Sequence, residues 1–274
     1  MGYKILKKEI LNEQVIKMDI EALDVAKHAK AGQFVILRVD EFGERIPLTI
    51  EDYDKEKGIV SIVFQIVGLT TLKLSKMEEN DEILDFVGPL GKPTDLANVK
   101  NALVIAGGVG SAIAYPICKQ LKQDNKKVSA IIGFRNKHFV ILENKFKETC
   151  DKLFIYTDDG SYQNSGFVTS DLDKIIQENN FDEVFCIGPL IMMKNVCKVT
   201  RKYNLKTTVS LNPIMIDGTG MCGGCKVVID GKTKFACIDG PDFDGFKVDF
   251  DQLILRNNVY KKQEEDKCNL YKVK

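Results

Sequence analysis

The spacing of three cysteines near the carboxyl end constrains this chain more than any other feature of its sequence. Cys222, Cys225 and Cys237 follow the pattern C-x2-C-x11-C, and the first two enclose a Gly-Gly turn. Such a turn can aim two thiolates at one ion, and its glycines let backbone N–H groups approach sulfides and stabilise their charge. The three cysteines therefore predict a metal centre in the last third of the chain.

The fourth ligand decides which kind of centre this is. Plant-type [2Fe–2S] proteins use C-x4-C-x2-C followed by a distant cysteine. Asp217 stands five residues before Cys222, at the position of the missing first cysteine. A carboxylate is anionic and can bind ferric iron. We therefore predict that Asp217, Cys222, Cys225 and Cys237 hold one [2Fe–2S] cluster.

Other assignments of this segment stay open. A zinc site would normally add a fourth cysteine or histidine, but His28 and His138 lie far away in the sequence. A redox-active C-x-x-C pair would leave Cys237 unexplained. Alternatively, Asp217 is a turn residue and Cys268 is the fourth ligand. The other cysteines stand singly among apolar or helical residues, which is typical of small buried side chains. These four are Cys118, Cys150, Cys186 and Cys197.

Charge and hydropathy argue against several classes of partner. The 274 residues include 39 basic and 39 acidic ones, so nothing suggests binding to nucleic acid or to an anionic membrane. No apolar run approaches the roughly 20 residues that span a bilayer. The segment MGYKILKKEILNEQ is charged within a few residues and lacks the apolar core of a signal peptide. We expect a cytoplasmic protein with one to three domains.

Three segments of the chain differ in pattern. Residues 1–98 contain short Val- and Ile-rich runs separated by glycines, which predicts a small antiparallel β-barrel. Residues 99–205 alternate apolar strands with helical stretches, which predicts an α/β domain with a parallel, doubly wound sheet. Residues 206–274 are rich in Gly and Cys, with an Asp-Gly hairpin turn in KVVIDGKTKFAC. We expect this small carboxyl-terminal lobe to bind the metal, and the charged tail after residue 261 to be frayed.

A glycine-rich loop follows the first predicted strand of the α/β segment. Gly107, Gly108 and Gly110 would let the backbone approach a pyrophosphate at the start of a helix. The sequences TDDG (157–160) and CIGP (186–189) follow other predicted strands of the same sheet. The three loops should therefore meet at its carboxyl edge, where α/β sheets bind ligands. A tight strand-to-helix turn without a ligand would also explain the glycines.

The segment RIPLTI at residues 45–50 is a second candidate binding element, in the barrel section. Arg45 could bind a flavin diphosphate, and Thr49 could hydrogen-bond a flavin ring. On these residues alone, an ordinary strand with a surface arginine is the simpler interpretation.

Eight segments together resemble one known superfamily: RIPLTI, VGLTTLKL, GPLGKP, AGGVGSAIAYP, TDDGS, GFVTSDL, IGPLIMMK and MCGGC. Their order and sequence are similar to those of the ferredoxin–NADP reductase superfamily, in the branch of the dihydroorotate dehydrogenase electron-transfer subunit. The resemblance covers nearly the whole chain. SLNPIMIDGTGMCGGC and KFACIDGPDFDG are more narrowly similar to small subunits of NADH-dependent reduced ferredoxin:NADP oxidoreductases, in which one Asp and three Cys hold the [2Fe–2S] cluster.

The resemblance implies a barrel that binds FAD and an α/β domain that binds NAD(H) or NADP(H). The FAD would be lined by Arg45, Pro47, Leu48, Thr49, Gln65, Ile66 and Val67, with Thr70 and Thr71 at its diphosphate. The nicotinamide dinucleotide would lie at Gly107, Gly108, Gly110, Asp158, Asp159, Gly188 and Pro189. Two positions depart from the family pattern. Ile46 stands where the flavin motif has its arginine, and Gln163 stands where a glycine is usual.

The resemblance also implies a function in electron transfer. NAD(P)H would reduce FAD, and the cluster would pass single electrons to or from a larger flavin and iron–sulfur subunit, which in turn would serve ferredoxin in a bifurcating complex. Two alternatives are the subunit that reoxidises a dihydroorotate dehydrogenase with NAD, and a non-catalytic interaction protein with zinc in its lobe. The preference between NADH and NADPH stays open, because Arg135 and Lys137 could bind a 2′-phosphate or be solvated surface charges.

Overall fold

The first part of the chain folds into an antiparallel sheet that nearly closes into a barrel. The computed structural model describes residues 2–273, and side chains as far as residue 269. The elements of this part are β1 (Tyr3–Asn12), β2 (Val15–Glu21), α1 (Leu23–His28), β3 (Phe34–Arg38), β4 (Ile46–Asp54), β5 (Ile59–Gln65), α2 (Leu69–Ser75), β6 (Glu82–Ile83) and β7 (Asp85–Leu90). The strand order is β6-β1-β2-β5-β4-β3-β7, which confirms the predicted barrel.

The alternation of side chains explains the strands of the barrel. In β2, Ile16, Met18 and Ile20 are buried, whereas Lys17 and Asp19 between them are partly exposed. This period of two places one face of the sheet on an apolar core and the other toward solvent.

The second part is a largely parallel sheet with helices on its faces. Its elements are β8 (Asn101–Gly107), α3 (Gly110–Gln123), β9 (Lys127–Phe134), α4 (Glu143–Thr149), β10 (Lys152–Thr157), β11 (Asn164–Ser165), α5 (Leu172–Gln177), β12 (Glu183–Ile187), α6 (Leu190–Lys202) and β13 (Thr207–Ser210). Strand β12 is buried along its whole length, and β8 and β9 are buried except at their first residues, as expected for a parallel sheet covered on both faces. The predicted α/β architecture is confirmed.

The carboxyl-terminal lobe completes this second sheet. It contains β14 (Lys226–Ile229), β15 (Lys232–Phe235), α7 (Ala236–Asp239), β16 (Asp242–Asp244), α8 (Phe250–Asn257) and α9 (Lys261–Val273). The sheet order β11-β10-β9-β8-β12-β13-β16 shows that β13 and β16 extend it past residue 205. Strands β14 and β15 form the predicted hairpin. No helix among the described residues has the length and apolar character needed to cross a bilayer.

The charged tail differs from its prediction, because residues 261–273 form helix α9 rather than a frayed end. Lys261 and Glu265 are spaced i,i+4, as are Lys262 and Asp266, and such pairs support an exposed helix. Lys267 Nζ also lies 2.6 Å from Glu44 Oε1, so the helix reaches back to the barrel.

Asp242 lies where the three parts of the chain meet. Its Oδ2 accepts a 2.6 Å hydrogen bond from Thr94 Oγ1, beyond the last barrel strand. Strand β16, which contains it, pairs with β13 of the α/β sheet. Its Oδ1 is buried without a hydrogen-bond partner among the described residues. Burial raises the pKa of Asp242 to about 6, because the charged form is poorly solvated there.

We predict that Asp242 makes the protein less stable as the pH rises. Its pKa is about 6 when folded, against a usual 3.8, so the folded state holds the proton more tightly and loses this advantage as pH rises from about 4 through 6. The free energy of unfolding can be measured with urea on the reconstituted protein at pH 4.5 and at pH 7.5. As the pH rises between these values, the free energy of unfolding of Asp242→Asn should increase by about 2 kcal/mol relative to that of the native sequence. Asp230→Asn, at an exposed turn of the same lobe, is the control variant. A flat difference for Asp242→Asn would contradict the prediction.

Candidate functional site

Asp217 organises the loop that contains the first two cysteines. Its Oδ1 accepts a hydrogen bond of 2.8 Å from the backbone N–H of Thr219, and its Oδ2 accepts one of 2.7 Å from that of Cys222. Led by the Thr219 amide, these bonds hold the pKa of Asp217 below its usual value. The carboxylate is therefore ionised and lies next to the cysteine loop. This arrangement agrees with either predicted role of Asp217, as a cluster ligand or as a turn residue.

The structure brings Cys225 and Cys237 together. Their Sγ atoms are 3.1 Å apart, and the two residues are 2% and 3% exposed. Burial, then the neighbouring thiol of Cys225, raises the pKa of Cys237 to about 12, and the charge of Asp217 adds to this. Backbone N–H groups donate to sulfur at two places, from Gly224 to Cys222 Sγ and from Cys237 to Cys225 Sγ, each at 3.4 Å.

The donor set fits an iron–sulfur cluster, although the four side chains are not gathered around one point. Among the described residues, no group of three or more His, Cys, Asp or Glu is close enough to hold a metal ion. What is present is a buried thiol pair, an exposed Cys222, an ionised Asp217 and N–H groups aimed at sulfur. Such N–H groups stabilise thiolate and sulfide charge in iron–sulfur sites. Cys268, the alternative ligand, lies on α9 beside Lys267, which pairs with Glu44 of the barrel.

The cysteine loop packs directly on the barrel. Gly218 has a φ of +74°, and a Cβ built on it would lie 2.7 Å from side-chain atoms of both Ile36 and Leu90. Ile36 of β3 is paired with Pro47 of β4, which belongs to the predicted flavin segment. The backbone of the predicted cluster loop therefore touches the strand next to the predicted flavin strand.

The predicted flavin residues of β4 are partly exposed at one end of the strand. Pro47, Leu48 and Thr49 are half-buried and are paired with consecutive residues of β3. Arg45 precedes the strand and is exposed, with its guanidinium 3.9 Å from Asp85 Oδ2. Arg38, from the neighbouring strand, binds the same carboxylate more closely, at 2.6 Å. Arg45 is thus weakly tethered within the chain and has donors left for an anion.

The segment from Gln65 to Thr71 forms a turn into α2. The Thr71 hydroxyl donates to the carbonyl of Gly68 and accepts from the N–H groups of Val67 and Gly68, all at 3.0 Å. This closes the start of the helix, so Thr71 shapes the turn with its own side chain. Thr70 is buried, whereas Val67 is 73% exposed. The contacts of this segment with FAD, including those of Ile66, stay a prediction. Gln65 donates to Gln14 Oε1 at 3.1 Å.

The glycines of the nucleotide loop serve two different purposes. A Cβ on Gly110 would lie 2.7 Å from the carbonyl oxygen of Ile187, and one on Gly107 would lie 2.6 Å from Met192 Sδ and 3.2 Å from Pro189. Gly188, with a φ of +153°, packs against Gly107 in turn. By contrast, Gly108 has a φ of +56° and open space where its Cβ would be. Only Gly108 therefore leaves room for a ligand above the loop.

The TDDG loop lies at the carboxyl end of β10, next in the sheet to β9. Burial raises the pKa of Asp158, although the charge of Arg135 opposes this. Asp159 Oδ1 accepts a 2.9 Å hydrogen bond from the N–H of Ser161. Lys137 Nζ lies 5.7 Å from the centre of the Tyr162 ring. Arg135 is exposed, and its charge acts on the nearby carboxylate of Asp158.

Comparison with known proteins agrees with this geometry. The model of the iron–sulfur cluster binding domain of dihydroorotate dehydrogenase B matches residues 212–249. The dihydroorotate dehydrogenase B (NAD(+)) electron transfer subunit homolog of Thermotoga maritima is 46% identical over 96% of this chain and 93% of its own. The dihydroorotate dehydrogenase B (NAD(+)) electron transfer subunit of Fusobacterium nucleatum is 32% identical over 82% and 89%.

Solved structures extend the similarity to the whole fold. A chain from the structure of NADH-dependent reduced ferredoxin-NADP oxidoreductase, described for its flavin-based electron bifurcation, is 44% identical, with a TM-score of 0.93 and coverage of 99% of this chain and 98% of that one. Phthalate dioxygenase reductase, at 15% identity and a TM-score of 0.61 over 84% and 86%, shares the fold alone. The predicted resemblance is confirmed, and the chain belongs to the family of dihydroorotate dehydrogenase B electron transfer subunits and their homologues, built on the ferredoxin reductase fold.

Proposed function

We propose that this chain is a flavin and [2Fe–2S] electron-transfer subunit that exchanges electrons between NAD(P)H and a partner redox subunit. The observation that carries the proposal is the contact of the cysteine loop with the barrel, where Gly218 packs on Ile36, the strand partner of Pro47. A cluster in this loop and a flavin on β4 would be neighbours, and the glycine loop supplies a dinucleotide site on the adjoining domain.

In this proposal each part of the chain binds one group. Pro47, Leu48 and Thr49 would line the flavin ring, Arg45 would face its diphosphate, and Gly108 would leave room for the dinucleotide. Asp217, Cys222, Cys225 and Cys237 would be the cluster ligands. When bound, FAD accepts a pair of electrons as hydride and releases them singly, and the cluster carries one at a time. The chain itself needs no acid–base triad, because the role of its residues is to bind and orient the cofactors and to exclude water from them.

The partner in this proposal is a larger subunit with a further flavin and iron–sulfur clusters, which would link the chain to ferredoxin in a bifurcating complex. The similarity to the bifurcating oxidoreductase, at 44% identity over 99% of this chain, supports this reading. The similarity to the Fusobacterium subunit is lower, at 32% over 82%, so reoxidation of a dihydroorotate dehydrogenase is the second candidate. A cytoplasmic location accompanies the proposal, because the described cysteines form no disulfide, as is usual in reducing compartments.

The test is anaerobic purification, reconstitution with FAD, iron and sulfide, and a visible spectrum followed by stopped-flow reduction. We expect non-covalent FAD, two irons per chain, and faster bleaching of the flavin by NADH than by NADPH, a preference that the family resemblance favours. A clear NADPH preference would reverse that last expectation and point to Arg135 or Lys137 as phosphate ligands. A colourless protein that binds zinc would reject the proposal.

A further inference from the structure

A buried carboxylate joins the barrel to the α/β domain. Glu51 of β4 is 1% exposed, and its Oε1 lies 2.6 Å from Nζ of Lys145 on α4. Its Oε2 lies 3.1 Å from Nζ of Lys17 on β2. One lysine from each domain thus neutralises the same carboxylate. Loss of the Lys145 contact would leave this buried carboxylate with Lys17 as its only close cationic partner, and weakening the pairing of a buried charge is costly.

A β-bulge explains why two neighbouring acidic residues both meet the second domain. Successive side chains of a strand normally point to opposite faces. The pairing of β4 with β5 shifts register between Ile50 and Asp52, which makes Glu51 an extra residue, and such bulges redirect side chains. Asp52 Oδ1 consequently lies 2.6 Å from Nζ of Lys119 on α3, and its Oδ2 lies 4.0 Å from Nζ of Lys145.

Lys145 is held in place from its other side as well. Its Nζ lies 4.6 Å from the centre of the Tyr115 ring, a cation–π contact. Tyr115 in turn packs edge-on against Phe146, with ring centres 5.9 Å apart. Burial acts to lower the pKa of Lys145, but the attraction of Glu51 outweighs it, and the pKa is raised. Lys145 is therefore a charged group fixed between an aromatic ring and a carboxylate.

The elements joined by this network are those that carry the two proposed binding sites. Strand β4 contains Pro47, Leu48 and Thr49 shortly before Glu51. Helix α3 begins at Gly110 of the glycine loop and carries Tyr115 and Lys119 on its second and third turns. The Asp52–Lys119 ion pair thus connects β4 directly to α3, and Glu51 connects β4 to α3 through Lys145 of α4, which contacts the Tyr115 ring.

We propose that Glu51 and Lys145 are positioning residues that set the distance and angle between the flavin and the nicotinamide; this inference rests on the proposed function. The step affected is transfer of a hydride, one proton with two electrons, from the dihydronicotinamide ring to the flavin ring, which yields NAD(P)+ and the two-electron-reduced flavin. Such transfer depends on near-contact geometry, and a displacement of about 1 Å can cost roughly a hundredfold in rate.

The experiment is stopped-flow reduction of the reconstituted protein over a range of NADH and of NADPH concentrations. Glu51→Gln keeps the shape of the side chain but removes its charge, and it should lower the limiting rate of flavin reduction about tenfold, with full FAD content and less than a threefold change in nucleotide affinity. Lys145→Met should show the same loss, Lys145→Arg should retain most of the rate, and the double variant Glu51→Gln/Lys145→Met should be no slower than either single one.

The matched control is Lys122→Gln. Lys122 lies on the same helix α3 and pairs with Asp151 at 3.2 Å within one domain, so its loss should leave the limiting rate unchanged. A wild-type rate in Glu51→Gln or in Lys145→Met would overturn the inference, as would an equal loss in Lys122→Gln. A purely stabilising role would lower the melting temperature without this split between rate and affinity, and that outcome would also overturn it.

Hydrogen exchange separates this inference from the proposed function. If neither nucleotide reduces the wild-type flavin, the proposed function fails. The contact between the domains at Glu51 and Lys145 is then tested by the rates of amide hydrogen exchange alone. In Glu51→Gln, amides of β4 and α3 should exchange faster than in the wild type, while those of β10 should not change. Unchanged exchange in β4 and α3 would overturn the inference whatever the nucleotide does.

Discussion

Replacing Cys225 or Cys237 with alanine is expected to abolish the iron–sulfur cluster. The two Sγ atoms are 3.1 Å apart in a buried site, so removing either thiol deprives the cluster of one of its two buried thiolate ligands. Iron and sulfide content should fall to background after reconstitution, and the EPR signal of the reduced cluster should disappear. The FAD content should stay near one per chain, because the barrel does not depend on these thiols.

The control for this experiment is Cys197→Ala. Cys197 is buried in α6, so its replacement removes a buried thiol without touching the cysteine loop. It should retain full iron and sulfide content, apart from a modest loss of stability from the smaller side chain. Wild-type iron content in Cys225→Ala would contradict the assignment of this residue as a ligand.

Variants of Asp217 distinguish a ligand from a turn residue. If Asp217 is a ligand, Asp217→Ala should leave the cluster labile. Asp217→Cys, which restores C-x4-C-x2-C-x11-C, should then keep the cluster with a changed reduction potential and changed EPR g-values. Because a carboxylate delocalises less charge from iron than a thiolate does, the native potential should be the higher one. If Asp217 is only a turn residue, Asp217→Ala and Asp217→Cys should behave alike, since neither alanine nor cysteine can accept from the N–H groups of Thr219 and Cys222 as aspartate does. Full iron with an unchanged EPR spectrum in Asp217→Ala would direct the search to Cys268.

The parts of the fold that follow local patterns could be predicted from the sequence. Alternation of apolar and polar residues marked β2, and the continuous apolar run before Gly107 marked β8. The continuation of the α/β sheet through β16 could not be predicted, because Asp242–Asp244 is a short polar strand whose pairing with β13 depends on tertiary contacts. Helix α9 was missed for a related reason, since a charged tail is helical only through its i,i+4 spacing and its contact with Glu44.

The candidate site shows the same division. The spacing D-x4-C-x2-C-x11-C predicted the three cysteines and Asp217 as cluster ligands. The hydrogen bonds of Asp217 to two backbone amides could not be predicted, because they depend on the path of the loop. The network of Glu51 and Lys145 was missed, because the two residues are distant in sequence and are brought together by a bulge and by domain packing. The available signal was a pair of adjacent acidic residues, Glu51 and Asp52, directly after the largely apolar run IPLTI in the same strand.

The second large effect is expected for Gly108→Ala. Gly108 has a φ of +56° and no atom within 4 Å of the position its Cβ would take, so alanine adds backbone strain of about 1 kcal/mol and no clash within the chain. In the proposed dinucleotide site, the new methyl group would stand where a phosphate approaches the loop. We expect the affinity for NAD(P)H, measured from the concentration dependence of flavin reduction, to fall at least about tenfold, which is about 1.4 kcal/mol.

Gly231→Ala separates strain from obstruction. Gly231, in the turn of the β14–β15 hairpin, has a φ of +70° and likewise no atom within 4 Å of a built Cβ, so alanine there should cost a similar amount of stability without any effect on nucleotide affinity. Gly110→Ala makes the opposite contrast, because its Cβ would lie 2.7 Å from the Ile187 carbonyl oxygen and 3.0 Å from Gly188 Cα and should disturb folding itself. If Gly108→Ala and Gly231→Ala lose equal stability and neither changes nucleotide affinity, the space above Gly108 does not receive the dinucleotide, and the glycines of this loop serve only its tight turn.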